Sequence, residues 1–493
     1  MGGIRISTMD GGTTSIEASA LEALAATLRG MLMTPATPGY DQARTVWNAM
    51  IDHRPALIAR CAGAADAMQV VAFARRHRLR LAVRGGGHHV GGFSVCEGGL
   101  VLDLSPMRGV RVDLATRTAH ADGGATLADV DHETQAHGLA TPLGVNSTTG
   151  LGGLTLGGGF GWLTRRLGLT IDNLVAADVV TADARLVRAS HDENRDLFWA
   201  LRGGGGNFGV VTRFELALHR IGPQVLAGLV VFPVAQARAV LAKWRELAMT
   251  LPEETSAWVV MRRAPPLPFL APEVHGTEVV VIAICHSGDA PSGQRAVAAV
   301  RALGTPVGEH VGMQPYTAWQ QALDPLLAPG ARNYWKTHNF TSIPDAAIEV
   351  VLEGIRDLPG NACEIIVAAI GGAPQRIPRS DSAYSARDAR FVMNLHGRWE
   401  SGEDARHITW ARTLFNKLQP HASGGAYVNF MTADESSRLP SAYGPDTFTR
   451  LAGIKAVWDP DNLFRANHNI EPRAISDGLG ARAPGEGPHI VDR

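Results

Sequence analysis

Three glycine-dense segments, each running into or out of an apolar stretch, constrain this chain more than any other feature of its sequence. The first is Leu81–Gly92, LAVRGGGHHVGG; the second is Gly150–Gly161, GLGGLTLGGGFG; the third, Arg202–Gly209, RGGGGNFG, leads directly into VVTRFELAL. Glycine supplies 55 of 493 residues, about 11% against a usual ~7%, and the excess is gathered in these clusters. A run without Cβ atoms lets several backbone N–H groups converge on one anion. On its own the first cluster also fits a tight turn beside an exposed His pair. Three clusters flanked by strands, rather than by the polar, Ser-rich sequence of a linker, imply an extended phosphate-bearing ligand lying across several strand ends. The first cluster lacks the GxGxxG spacing that opens a helix after a strand, and no acidic ribose reader follows it, so a nicotinamide Rossmann site is disfavoured.

The rest of the composition narrows the class. Lys and Arg total 46 against 47 Asp and Glu, which argues against a nucleic-acid binder or a polybasic membrane clamp. Four widely spaced cysteines, Cys61, Cys96, Cys285 and Cys363, form no CxxC pair, so neither a disulfide framework nor a zinc ribbon is expected, and no metal site is read. The sequence contains no apolar run of membrane-spanning length, and its opening MGGIRISTMDGGTTS lacks the apolar core of a secretory signal. The expectation is a cytoplasmic protein with a small-molecule substrate.

The length calls for two domains. Residues 1–50 read as an N-terminal extension with an amphipathic helix over Ile16–Leu32. Over 51–220, helices (Ala64–His77, Thr126–His137) and short strands (Leu81–Val83, Gly99–Leu104) precede a hairpin (Ala176–Thr181, Ala184–Ala189) and the period-two strand Phe208–Leu218. This is α+β in character, without a regular βαβ cadence. Over 221–422 the strands Val225–Val234, Ser256–Met261, Glu278–Cys285, Glu364–Ile370 and Phe391–His396 alternate with helices such as Ala235–Met249 and Ala346–Arg356, which predicts one helix-covered sheet. A closing segment, 423–472, holds a strand Ala426–Phe430 and a helix Phe448–Trp458. The Pro/Gly-rich tail 473–493 is expected to be flexible.

Four motifs in order carry a family resemblance: RGGGHHVGG, then GVNSTTGLGGLTLGGGFGWLTRRLGLTIDNLVAADVVTADARLV, then DLFWALRGGGGNFGVVT, then AYVNF with YGPDTFTRLAGIKAVWDPDNLFRANHNI. The chain resembles the berberine-bridge-enzyme-like FAD-linked oxidases of the vanillyl-alcohol-oxidase / p-cresol-methylhydroxylase superfamily, whose layout the 6-hydroxynicotine oxidases and bacterial polyketide or sugar oxidases share. The resemblance implies a PCMH-type FAD-binding domain, an antiparallel-sheet substrate domain covered by helices, and a C-terminal segment returning to the FAD domain.

Residue by residue, the resemblance makes His88 the attachment point of the flavin's 8α carbon, with His89 hydrogen-bonded or solvated. It places around FAD Arg84, Gly85, Gly86, Gly87, Gly92, Asn146, Thr148, Thr149, Gly150, Gly152, Gly153, Leu154, Gly157, Gly158, Gly159, Gly161, Asp172, Asn173, Gly209, Val211, Tyr427, Asn429 and Asn467. Members with a second flavin bond hold a Cys where this chain has Asn146, so a single covalent bond is expected. Thr149 falls at the oxygen-gating position. Tyr427 and Asn429, on one face of the expected strand, would look at the flavin's reactive edge. Tyr427 would take the substrate's proton, which requires neighbours to lower its pKa from the phenolic ~10, and Asn429 would orient flavin or substrate. Lys336, His338 and His396 are further candidates to assist. The expected function is an FAD oxidase that returns electrons to O2 as H2O2. The alternatives are a dehydrogenase with another acceptor and an FAD or anion binder without turnover.

Overall fold

The computed structural model describes residues 3–474; the tail expected over 473–493 lies outside the described residues from 475 onward. Besides two two-stranded ribbons, two larger sheets are built from the first half of the chain. The smaller has strand order Met31–Met33, Leu57–Arg60, Leu100–Asp103, Leu81–Arg84, and its last three strands are parallel. Their cores, LIA, LVL and LAV, are continuous apolar runs, as expected of parallel strands covered on both faces. Helix Ala64–Arg76 makes the crossover between Leu57–Arg60 and Leu81–Arg84, so one βαβ unit is present after all, with a third strand inserted between its two. The second sheet is antiparallel, in the order Leu186–Ser190, Leu174–Val180, Val210–Ala217, Thr118–Asp122, Val110–Asp113.

The N-terminal helix is shorter than expected, Ala18–Thr27, and the chain then enters the strand Met31–Met33. The N–H groups of Arg29 and Gly30 donate to the buried Asp66 carboxylate at 2.9 Å each. A Cβ on Gly30 would lie 1.9 Å from the Arg60 carbonyl oxygen. That close backbone approach ends the helix.

Residues 224–399 form one seven-stranded antiparallel sheet in the order Gly308–Pro315, Gln224–Pro233, Glu278–His286, Thr255–Arg263, Glu364–Ala369, Phe391–Trp399, Arg332–Phe340. Alternation along its strands decides what each face meets. Val259, Met261, Ile365, Val367, Phe391, Met393 and Leu395 join a core with helices Ala237–Thr250, Asp345–Arg356 and Asp404–Leu418. Trp258, Ile366, Ala368, Val392, Asn394 and His396 face the opposite way, toward the glycine loops.

The closing helix Pro445–Trp458 packs Leu451, Ala452 and Ile454 against Leu197, Phe198 and Trp199. Within it Lys455, fully buried, donates from Nζ to the carbonyls of Asn207 and Phe464 and to Asp459. The segment 455–464 is thereby fastened to the third glycine loop.

Candidate active site

A cavity of about 330 Å³ lies between the glycine loops and the inner face of the seven-stranded sheet. Gly85–Gly87, Gly150, Gly152, Gly153 and Gly204–Gly206 line it from one side. The first two loops touch backbone to backbone: a Cβ on Gly86 would sit 2.5 Å from the Gly150 Cα, and one on Gly150 2.4 Å from the Gly86 nitrogen. Gly87, at φ +68°, turns the chain where its carbonyl accepts the Trp47 N–H at 3.0 Å. The N–H groups of Gly86, Gly87 and His88 donate to no acceptor among the described residues. Arg84 stands behind the loop, donating to the Ala43 carbonyl with its Nε 3.9 Å from Asp103.

His88 stacks on Trp47, ring centroids 4.5 Å apart and planes 22° from parallel. Its Nε2 lies 3.3 Å from Thr148 Oγ1, and both the N–H (3.0 Å) and the O–H (2.6 Å) of Thr148 point at Asn146 Oδ1. Desolvation pushes the His88 pKa down to about 4, so the ring is neutral above mild acid. His89, brought to about 3 mainly by burial, accepts the Gly91 N–H on Nδ1 at 3.0 Å and packs against Phe93 and His468. It lines the cavity as a satisfied residue.

Tyr427 and Asn429 meet inside the cavity, although not on a strand. Val428–Phe430 is a 3₁₀ turn that follows Gly424 and Gly425, both in the left-handed region. In a strand, residues i and i+2 stand about 7 Å apart along the chain. The turn instead lets the Asn429 amide donate to the Tyr427 oxygen at 3.0 Å. The Gly159 N–H donates to the same oxygen at 3.2 Å. Burial nevertheless pushes the phenol up to about 12, with Asn429 and Gly159 only partly opposing it. The lowered pKa expected from the sequence is corrected: the two donors are present, and desolvation outweighs them.

Of the residues expected around FAD, Gly85, Gly86, Gly87, His88, His89, Asn146, Thr149, Gly150, Gly152, Gly153, Leu154, Gly209, Val211, Tyr427, Asn429 and Asn467 line the cavity. Others stand behind it. Gly92 packs on Ile51, and Gly157 leaves room for Asn429, whose Oδ1 would be 2.1 Å from a Cβ there. Gly158 backs onto Tyr384, Gly159 onto Thr170 and Gly161 onto the Leu143 carbonyl. Asp172 is bidentate with Arg387 at 2.7 and 2.8 Å, each side chain 3% exposed, and Asn173 bonds His219 and the Leu167 carbonyl. These two are structural.

Two of the three auxiliary candidates are also displaced. Lys336 and His338 sit on the helix-covered face of the sheet: Lys336 pairs with Asp434 and Glu435, and His338 stacks on Phe415 at 4.1 Å. His396 reaches the cavity, but both ring nitrogens are engaged, by Glu364 at 3.1 Å and Asn333 at 3.0 Å. Sequence reasoning missed Trp47, Trp258, Trp335 and Asn394 on the cavity wall. Period two could have placed Asn394 and His396 together; nothing local marked the tryptophans.

The glycine end is built for a ligand with hydrogen-bonding capacity. Buried Ser94 Oγ, Asn146 Nδ2, Asn467 Oδ1 and His468 Nδ1 line it without a partner, and buried polar atoms are rarely left so. FAD fits this set: its phosphates match the free N–H groups and its ring edge the side-chain amides. Models of the FAD binding domain and of the berberine and berberine-like family match residues 55–190 and 426–471. An FAD-linked oxidoreductase of Dictyostelium discoideum is 33% identical over 86% of this chain and 91% of its own length. (R)-6-hydroxynicotine oxidase of Paenarthrobacter nicotinovorans is 30% identical over 90% of this chain and 97% of its own. The chain belongs to the berberine-bridge-like FAD-linked oxidoreductases.

The crystal structure of 6-hydroxy-D-nicotine oxidase from Arthrobacter nicotinovorans superposes with a TM-score of 0.81 at 28% identity, covering 90% of this chain and 98% of that one. Berberine bridge enzyme from Eschscholzia californica, at 20% identity and TM-score 0.83 over 93% of this chain and all of that one, shares the fold. As a berberine-bridge-like oxidoreductase the chain is an FAD enzyme of mixed α+β fold. Among the described residues no helix is long and apolar enough to cross a membrane.

Proposed function

We propose that this enzyme is an oxidase that takes a hydride from a C–H bond of a small organic substrate, with FAD held by one covalent bond to His88. One observation carries the reading: the glycine cradle, His88, the Tyr427–Asn429 pair and the sheet wall all line a single cavity. Cofactor and substrate would therefore share one space. Bound FAD supplies a two-electron acceptor that O2 reoxidises with release of H2O2.

The contacts of His88 favour one tautomer. Two Thr148 donors converge on Asn146 Oδ1, so that atom is the amide oxygen and the Thr148 proton is committed to it. Thr148 Oγ1 is then free to accept from His88, and we assign the ring proton to Nε2. The lone pair is left on Nδ1, the nitrogen we assign to the bond with the 8α carbon. None of the four cysteines lines the cavity, which supports a single bond. All four are buried and free, in keeping with a cytoplasmic protein.

Tyr427 is assigned the substrate's O–H or N–H proton. Its oxygen holds two donors, which favour the phenolate, the form able to accept that proton. Thr149, on the cavity wall, is assigned the approach of O2. The test is a two-part flavin experiment: anaerobic reduction by candidate amines, alcohols, sugars and phenols, then mixing with air-saturated buffer. Reoxidation within seconds with one H2O2 per flavin is expected. Slow reoxidation by O2 with rapid transfer to a dye would make the protein a dehydrogenase, and failure of every substrate to reduce the flavin would leave a binding protein.

A further inference from the structure

The sheet wall of the cavity carries a recognition group that no described residue engages. Of the polar side chains there, His396 is saturated by Glu364 and Asn333. Asn394, one register step away and 3% exposed, makes no side-chain hydrogen bond among the described residues, and its Oδ1 is buried without a partner. The indole N–H groups of Trp258 and Trp335 are likewise unpartnered. A buried amide oxygen left without a donor costs more than a satisfied one contributes, and such a group persists where a ligand completes it.

The surroundings of Asn394 restrict what that ligand is. No Asp, Glu, Lys or Arg side chain is among the described residues lining the cavity. A charged substrate would be desolvated there without a counter-ion. The space beside the amide is bounded by flat rings: Trp335 meets Trp47 at 5.5 Å and Phe430 at 5.3 Å, both edge-on, and Trp258 lies 5.8 Å from Phe160. Ring-lined walls favour a planar ring over a sugar, whose hydroxyl groups would need many polar partners.

We infer that this wall is the substrate pocket for an uncharged, flat ring compound bearing a hydrogen-bond donor and acceptor on one edge, as in a phenol, a hydroxy-heteroarene or a lactam, and that the Asn394 amide reads that edge. The inference rests on the reading that FAD occupies the glycine end of the same cavity.

The experiment is an equilibrium titration of the FAD-loaded enzyme, followed by the flavin absorption spectrum. Phenol and 2-hydroxypyridine are compared with anisole and N-methyl-2-pyridone, which lack the donor, and with benzoate, benzylammonium and cellobiose. Phenol and 2-hydroxypyridine should bind at least about tenfold more tightly than their methylated partners, the worth of roughly one net hydrogen bond, and Asn394→Leu should abolish that preference. Asn394→Asp, nearly isosteric, should raise benzylammonium affinity by about tenfold or more and keeps the test open if the Leu variant fails to fold. Tighter binding of benzoate or cellobiose, silence from every probe, a preference surviving in Asn394→Leu, or an unchanged benzylammonium affinity in Asn394→Asp would each overturn the inference. A preparation without flavin would instead defeat the oxidase reading. A flavin-loaded protein that makes peroxide but ignores the ring probes would defeat this inference alone.

Discussion

The Asn429 side-chain amide donates to the Tyr427 phenol oxygen at 3.0 Å, across a 3₁₀ turn that brings two residues of one short segment to a common point in the cavity. With Gly159 N–H on the same oxygen, both lone pairs of the phenol are occupied and its own hydrogen is left for a ligand.

That arrangement makes Tyr427→Phe informative, because the ring's packing on Phe160 and Phe430 is kept. The anaerobic flavin-reduction rate should fall by roughly 10²–10⁴, the usual range for one general base, with FAD content and reoxidation by O2 unchanged. Reduction within a few-fold of wild type would make Tyr427 structural.

The same residue gives a pH dependence. Burial holds the phenol at about 12, so near pH 7 only about 10⁻⁵ of it is ionised. If phenolate is the active base, the logarithm of the wild-type reduction rate should rise by about one per pH unit across the alkaline range, and Tyr427→Phe should lose that slope. A stopped-flow profile that levels off near neutrality would assign the limb to another group.

Thr148→Val removes the acceptor of His88 Nε2–H. In apoprotein reconstituted with FAD, covalent attachment should slow about 2- to 10-fold, the worth of one hydrogen bond. Because His88 is protonated only below about pH 4, the wild-type attachment rate should stay flat from pH 5.5 to 8. Acid-precipitable flavin, sampled over time, measures both. An unchanged rate in the variant would mean that Thr148 does not set the tautomer.

Gly86→Ala places a methyl 2.5 Å from the Gly150 backbone, and neither partner is a side chain that can turn away. The two loops must separate, at about 1–3 kcal/mol for an overpacked contact. Thermal unfolding and the flavin-to-protein ratio should both drop; retention of both would show that the loops yield without cost.

Much of the fold was legible because its central strands are apolar, β-branched-rich runs and its helices carry apolar stripes: Gln224–Pro233, Glu278–His286 and Asp345–Arg356 all form where the pattern predicts. The segment AYVNF also alternates, yet it forms no ladder with the edge strand Arg332–Phe340 that it touches and turns instead; alternation reports a face, not a partner. Lys336 and His338 do share a face, but which face of the sheet the helices cover is decided by the packing of helices Asp345–Arg356 and Asp404–Leu418. The Asp172–Arg387 pair spans 215 positions, and no local signal marks it.

Asp172→Asn tests that last correction. Leaving Arg387 buried beside a neutral amide should cost about 3–5 kcal/mol in denaturant unfolding, while the folded fraction keeps its full FAD content. Loss of FAD with unchanged stability would return Asp172 to the cofactor site.

The central claim is that His88 alone carries a covalent FAD. Peptide mapping of the acid-precipitated holoenzyme by mass spectrometry tests it most directly. The account predicts flavin on one peptide, the one containing His88, and none retained by His88→Ala. Fully extractable flavin in the wild type, or flavin on a cysteine peptide, would contradict it.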